Sequence, residues 1–193
     1  MSSSPMVFGG YPPPAPSGLP ARLHSSLRTW LPVLVGAAVL AAESTSGFGS
    51  DHTSDPLQRL TEAIFGYDVC VHWTVIHHLI RKTGHFMGYG MFSLVCFRGF
   101  WIALLSSTPR LMRRMQALGL AILASFLAGG ADELHQSFLP NRTGQFSDVL
   151  LDTCGALALC LVLFLAMQAA EWKGQARRRR IAANWLAPEN GLG

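Results

Sequence analysis

Residues 131–152 read ADELHQSFLPNRTGQFSDVLLD. The segment carries two adjacent acids, Asp132 and Glu133, then His135, Arg142, Asp148 and Asp152, between the apolar runs GLAILASFLAGG (119–130) and TCGALALCLVLFLAMQAA (153–170). Ionisable groups wedged between lipid-compatible segments are expensive to place, and by default they mark a functional site.

Outward from that segment the chain stays apolar. Half of its 193 residues are hydrophobic and 13% are charged, against about a quarter charged in a typical soluble domain. Too few charges are present to coat a water-facing surface, which points to a bilayer. The net charge of +4 does not imply nucleic acid, because the bases flank apolar runs and no aromatic–basic interleaving marks a soluble binding face. Of the four cysteines, Cys96, Cys154 and Cys160 fall in apolar runs and Cys70 in a polar one. Without CxxC or paired spacing they indicate neither a disulfide framework nor a structural zinc site.

The expected fold is all-α: a polytopic membrane protein of four transmembrane helices, with a short interfacial helix between the first two. Residues 1–22, rich in Pro, Ser and Gly, read as a disordered tail; residues 23–172 form the membrane domain, and residues 173–193 a basic cytoplasmic tail. The first span is expected over 28–48. Its strongest part, TWLPVLVGAAVLAAE, is short, and the alanines before Glu43 leave a signal peptide as the alternative. In DPLQRLTEAIFG, Leu57, Leu60, Ile64 and Phe65 approach one helical face, as an interfacial helix requires. The second span is expected over 83–106, with Arg98 near its far end, where a long stem reaches headgroups. The third runs from 116 to 131 and onward through DELHQ, and the fourth over 149–170. Trp30, Trp73, Trp101 and Trp172 read as interface anchors, and His77 and His78 as surface residues.

Charge sets the orientation. With both termini and the 107–115 connection on one side, that side holds Arg22, Arg28, Arg98, Arg110, Arg113, Arg114, Lys173 and Arg177, Arg178, Arg179 and Arg180. The opposite side keeps Arg59, Arg81, Lys82 and Arg142. The positive-inside rule makes the richer side cytoplasmic, as expected of a bacterial inner-membrane protein. Lys82, His85 and Tyr89 then share a face at the outer end of the second span. Asp132 and Gln136 are one turn apart on the third, and Asp148 and Asp152 one turn apart on the fourth. Three helices thus present polar faces at a common depth, with Glu43 of the first span close to that level.

KTGHFMGYG followed some forty residues later by ADELHQSFLPNRTGQFSDVLLDTCGA resembles the VanZ-like family of small bacterial membrane proteins. The resemblance covers roughly residues 73–170 and rests on Lys82, His85, Phe86, Tyr89, Asp132, Glu133, Gln136, Phe138, Pro140, Arg142, Asp148, Asp152 and Gly155. Where the family's last polar position is commonly asparagine, this chain has Asp152. The resemblance implies kinship with a protein linked to low-level teicoplanin resistance, and it carries over no molecular activity.

The residues themselves leave two readings open. In one, Asp132 or Glu133 is a general base with His85 as partner acid, and Lys82, Tyr89, Gln136, Arg142, Asp148 and Asp152 bind a lipid-linked or otherwise amphipathic envelope substrate, Lys82 and Arg142 gripping its anion. Adjacent carboxylates repel, so such a pair needs unequal environments or a shared cation. In the other, Lys82 pairs with Asp148 or Asp152 and the whole constellation is a helix-locking network. No cofactor is expected; His85 and His135 beside the acids are donors for a divalent ion, but no HExxH-type spacing joins them. No nucleophile elbow or P-loop is present, and four helices without an internal repeat offer little for alternating access.

Overall fold

The computed structural model of the protein describes residues 19–45, 47, 50–104, 107–139 and 144–186, with the side chains of 19–24, 50–52, 68–70 and 186 left aside. Of the tail expected over 1–22, residues 1–18 lie outside the described residues, as do Phe48, Ser106, Pro140 and Arg142, while 19–22 are helical rather than disordered. Five α-helices follow in order: α1 Leu19–Glu43, α2 Ser50–Phe65, α3 Trp73–Ala103, α4 Arg110–Ser137 and α5 Phe146–Leu186, with a 3-10 turn Tyr67–His72 leading into α3. Four of them, all but α2, are long and apolar enough to cross a membrane. The lipid-facing surface is correspondingly greasy: Leu157, Leu161, Val162 and Leu165 on α5 are all exposed.

Helix boundaries depart from the sequence expectation mostly outward, except that α1 and α3 end a few residues short of 48 and 106. α1 begins at Leu19 with Pro20 in its first turn, where a missing N–H costs nothing, and it stops at Glu43. α3 starts at Trp73 rather than Thr83. Its first turns are held by α2: the Trp73 indole N–H donates to Ser54 Oγ at 2.8 Å. His77, expected at the surface, is instead buried, stacked on Trp73 with its Nε2 3.3 Å from Thr53 Oγ1; His78 is exposed as expected. α2 ends at Gly66, whose φ of 86° is the left-handed geometry a helix terminus favours. It leaves Leu60, Ile64 and Phe65 exposed, as an interfacial helix should. α5 does not stop at Ala170 but runs on through the arginine cluster for 41 residues, about 62 Å at 1.5 Å per residue. Hydropathy marks only the part that lipid covers, and Gln, Ala, Lys and Arg continue a helix readily.

The core is a three-helix contact of α3, α4 and α5, against which α1 leans, mainly on α3. Phe92, Cys96 and Phe97 of α3 meet Ala117, Leu118 and Ala121 of α4 and Cys160 of α5. Small residues let the backbones approach, which is how helices associate where lipid removes the hydrophobic driving force. The closest approach is the crossing of α3 and α5. A side chain built at Gly155 would strike the Phe86 carbonyl, and one at Gly90 would lie 2.7 Å from Leu159 Cδ1.

At the basic end, arginines tie the helices. Arg114, expected in a connecting loop, lies in the second turn of α4 and is 2% exposed. It donates to Gln168 Oε1 at 2.7 Å and pairs with Glu171 of α5. Arg113 donates from Nε to the Trp101 carbonyl at 3.1 Å and lies over the Trp101 ring. Trp101 is thus a clamp as well as an anchor.

Gly155→Ala is expected to cost about 1–3 kcal/mol, since overpacking against backbone has no flexible partner to yield. Gly119→Ala, in open space on α4, should instead raise stability by about 0.5–1 kcal/mol. Unfolding of the two variants in mixed detergent micelles checks both signs.

Candidate functional site

The depth of the polar residues follows from helix length alone. Lys82 to Ala103 on α3, Arg110 to Asp132 on α4 and Asp148 to Trp172 on α5 each span about 32–36 Å at 1.5 Å per residue, close to the roughly 30 Å of a bilayer's hydrocarbon. The three polar faces therefore converge at one boundary of the apolar layer, and they face one another.

At its rim, Lys82 Nζ of α3 pairs with Asp148 Oδ1 of α5; the two side chains are 28% and 22% exposed. Two turns along α3 from Lys82, the Tyr89 hydroxyl donates to Asp132 Oδ2 at 2.9 Å, and Gln136 Nε2 donates to the same oxygen at 3.2 Å. Glu133 is 5% exposed. Its Oε2 accepts the backbone N–H of Gln145 at 2.7 Å, because the chain entering α5 folds back over the end of α4. Gly144 makes that return possible, for a Cβ there would run into the Glu133 carbonyl. Asp152 is fully buried. It lies over Gly129 of α4, where a Cβ would stand 3.3 Å from its Oδ2. His85 stacks on Tyr89 and brings Nδ1 to 3.5 Å from Asp152 Oδ1.

Eight of the nine candidate residues thus meet in one cluster; the ninth, Arg142, lies outside the described residues. His135 does not join it. It is exposed on the α1 side of α4, with Nδ1 2.9 Å from the hydroxyl of Ser44, a buried residue just beyond α1. Glu43, expected near the same level, is exposed. Sequence reasoning missed Ser44, whose partner is ninety-one positions away, and the Gln145 amide, because a backbone donor carries no residue signature. Ser44 and His135 line a cavity of about 490 Å³ between α1, α3 and α4. Its walls are Ala37, Leu40, Ala41 and Ala128, and Tyr89 and Asp132 lie at its polar end. Asp132 is the link between cavity and cluster.

Hydrogen bonding in the cluster is lopsided. Among the described residues, the buried atoms His85 Nδ1, Asp132 Oδ1, Glu133 Oε1 and both carboxylate oxygens of Asp152 have no hydrogen-bond partner. Buried polar atoms are almost always satisfied, so five orphans at one point call for an explanation. Chemically, the arrangement offers several carboxylate oxygens and one imidazole to a ligand entering beside a half-exposed rim.

The VanZ/LLP1 family model matches residues 30–167. A four-span helical membrane protein with this ordered series of polar residues belongs to that family, the VanZ-like family, and the match includes α1 as well as the three core helices. No curated protein and no solved structure matches the chain.

Because the Lys82–Asp148 pair is half-buried, it is expected to lie between exposed pairs, worth about 0.2–1 kcal/mol, and fully buried ones, whose breakage costs about 3–5 kcal/mol. Lys82→Met should lower stability by about 1–3 kcal/mol, and adding Asp148→Asn should recover part of that loss. A double-mutant cycle on unfolding reads the coupling; strictly additive losses would mean that the two charges do not interact.

Proposed function

We propose that this VanZ-like protein binds and acts on a lipid-linked sugar, or a similarly amphipathic molecule of the bacterial envelope, at the outer face of the cytoplasmic membrane. The observation that carries the reading is the set of unpartnered buried carboxylate oxygens beside an apolar cavity that ends at Asp132. Ligand sites have this form, mostly apolar with a few convergent polar groups. In this reading part of an acyl or prenyl tail occupies the cavity between α1, α3 and α4, with a hydroxyl-bearing head at its Asp132 end.

In this reading Asp132 or Glu133 takes a proton from a head-group hydroxyl, and His85 is the partner acid. Tyr89 and Gln136 orient Asp132, and the Gln145 amide orients Glu133. Lys82 is engaged by Asp148, so its part is to hold the rim in place rather than to grip an anion. Arg142, read from the sequence alone, is the candidate for that grip, with a planar fork suited to phosphate. The kinship with teicoplanin resistance is compatible with a substrate among the lipid-linked wall intermediates.

A helix-locking role has its own support, since Lys82–Asp148 and Tyr89–Asp132 join different helices. A pure lock, however, would satisfy its acids. The basic-end residue Arg114 has two of its three nitrogens paired, whereas among the described residues Asp152 has no hydrogen-bonded oxygen and faces only His85, at 3.5 Å.

Glu133→Gln and the cavity-filling Ala128→Leu are expected to leave membrane abundance and melting close to wild type while sharply reducing photo-crosslinking of a lipid-linked sugar carrying a diazirine in its tail. Unchanged crosslinking in both variants would sink the substrate reading. A melting loss equivalent to about 3–5 kcal/mol in Glu133→Gln would return that residue to a structural pair. The orientation has its own check: a periplasm-dependent reporter should be active when inserted near Leu57 and inactive when fused after Arg180.

A further inference from the structure

We infer that His85, Glu133 and Asp152 form a binding site for one divalent transition cation, Zn²⁺ or Mn²⁺, held between α3, α4 and α5. One ligand atom from each residue lies within 4.8 Å of the others. The His85 Nδ1 to Asp152 Oδ1 separation of 3.5 Å is long for a hydrogen bond. That one edge is close to the edge of a tetrahedral site, about 3.4 Å for bonds of about 2.1 Å, whereas the 4.8 Å limit on the whole set requires the ligands to draw together on binding.

Three observations support the ion independently of that distance. The first is burial short of hydrogen-bond partners among the described residues: Asp152 is 0% and Glu133 5% exposed, yet Glu133 Oε1 and Asp152 Oδ2 have none, and His85 Nδ1 and Asp152 Oδ1 have only each other, at 3.5 Å. The second is charge. Asp132, Glu133, Asp148 and Asp152 crowd one depth, and Lys82, the fixed cation of the cluster among the described residues, is already taken by Asp148. Buried carboxylates need compensation, and a divalent ion supplies it for Glu133 and Asp152 together. The third is orientation: Glu133 is pinned through Oε2 by the Gln145 amide, leaving Oε1 free. This is how supporting hydrogen bonds aim a metal ligand. The nitrogen donor selects the metal class, since Mg²⁺ and Ca²⁺ favour all-oxygen shells whereas imidazole with carboxylates suits Zn²⁺ or Mn²⁺. Three protein ligands leave positions open, and the half-exposed His85 rim lies on the same side as Asp132.

The ion deepens the reading of the same site as a working centre and narrows its roles: with His85 and Glu133 engaged as ligands, Asp132 is left as the base, and the open positions can hold an oxygen of the head group that carboxylates alone would repel. The test uses the full-length protein in detergent, stripped with EDTA and titrated with Zn²⁺ or Mn²⁺ alone, bound metal being read by elemental analysis and, for Mn²⁺, by its paramagnetic resonance signal. The expected result is one saturable ion per wild-type chain with a rise in melting temperature. Asp152→Asn and His85→Ala should weaken binding by about 100-fold or more, beyond the roughly 10–100-fold that loss of an orienting partner produces; His78→Ala, an exposed histidine, should leave it unchanged. No saturable binding by wild type overturns the proposal, whatever the variants do, and so does binding that survives both Asp152→Asn and His85→Ala. Crosslinking of the lipid-linked sugar on the same preparations separates the two ideas. A wild type that binds no ion but captures the lipid removes the ion alone; one that binds an ion and captures nothing removes the substrate alone.

Discussion

Carboxylates carried into a helix bundle at membrane depth must meet positive charge or hydrogen-bond donors, because neither lipid nor apolar side chains can replace the water they lose. Here α4 and α5 bring four such groups to one level, and much of the structure around them answers that demand. Lys82 reaches across from α3 to Asp148. Tyr89 and Gln136 turn their donors on Asp132, and the chain between α4 and α5 bends back far enough for the Gln145 amide to reach Glu133. The close crossing at Gly90 and Gly155 serves the same end, since it brings α3 near enough to α5 for His85 to stand beside Asp152.

The two ends of the bundle meet that demand differently. At the basic end Arg114 is as deeply buried as any side chain of the core, and it is paired with both Gln168 and Glu171 one turn of α5 apart. That is a structural tie, with both terminal nitrogens of the guanidinium paired and only Nε left without a partner among the described residues. At the polar end, among the described residues, donors run out before acceptors do, and the deficit concentrates at Asp152 and its neighbours. Stability alone would favour replacing such groups with apolar ones. The apolar cavity between α1, α3 and α4 ends at Asp132, beside that deficit.

Much of this was legible in the sequence, for local reasons. A helix places residues three and four apart on one face whatever surrounds it, so the shared faces of Lys82, His85 and Tyr89, of Asp132 and Gln136, and of Asp148 and Asp152 could be read directly. Rise per residue set their common depth, and hydropathy counted the spans. Interfacial α2, with Leu60, Ile64 and Phe65 exposed, was visible in the same way. Boundaries were less legible, because hydropathy responds to lipid and not to helix propensity; α3 and α5 both run well past their apolar stretches.

What only the tertiary structure decided is which of those faces touch and which groups are left over. His135, adjacent in sequence to the acids, turns to Ser44 and away from them; His77 is covered by α2; Arg114 turns inward. None of these could be read from spacing, since each depends on a partner dozens of positions away. The same holds for the grouping of His85, Glu133 and Asp152, one residue from each of three helices, which no linear motif records. The sequence by itself determined a four-span helical membrane protein with polar groups at one depth, because helix period and hydropathy are local properties. Packing decided how those groups pair and which oxygens remain unpaired, because pairing depends on helix–helix approach and on backbone donors, and the identity of the residues encodes neither of these locally.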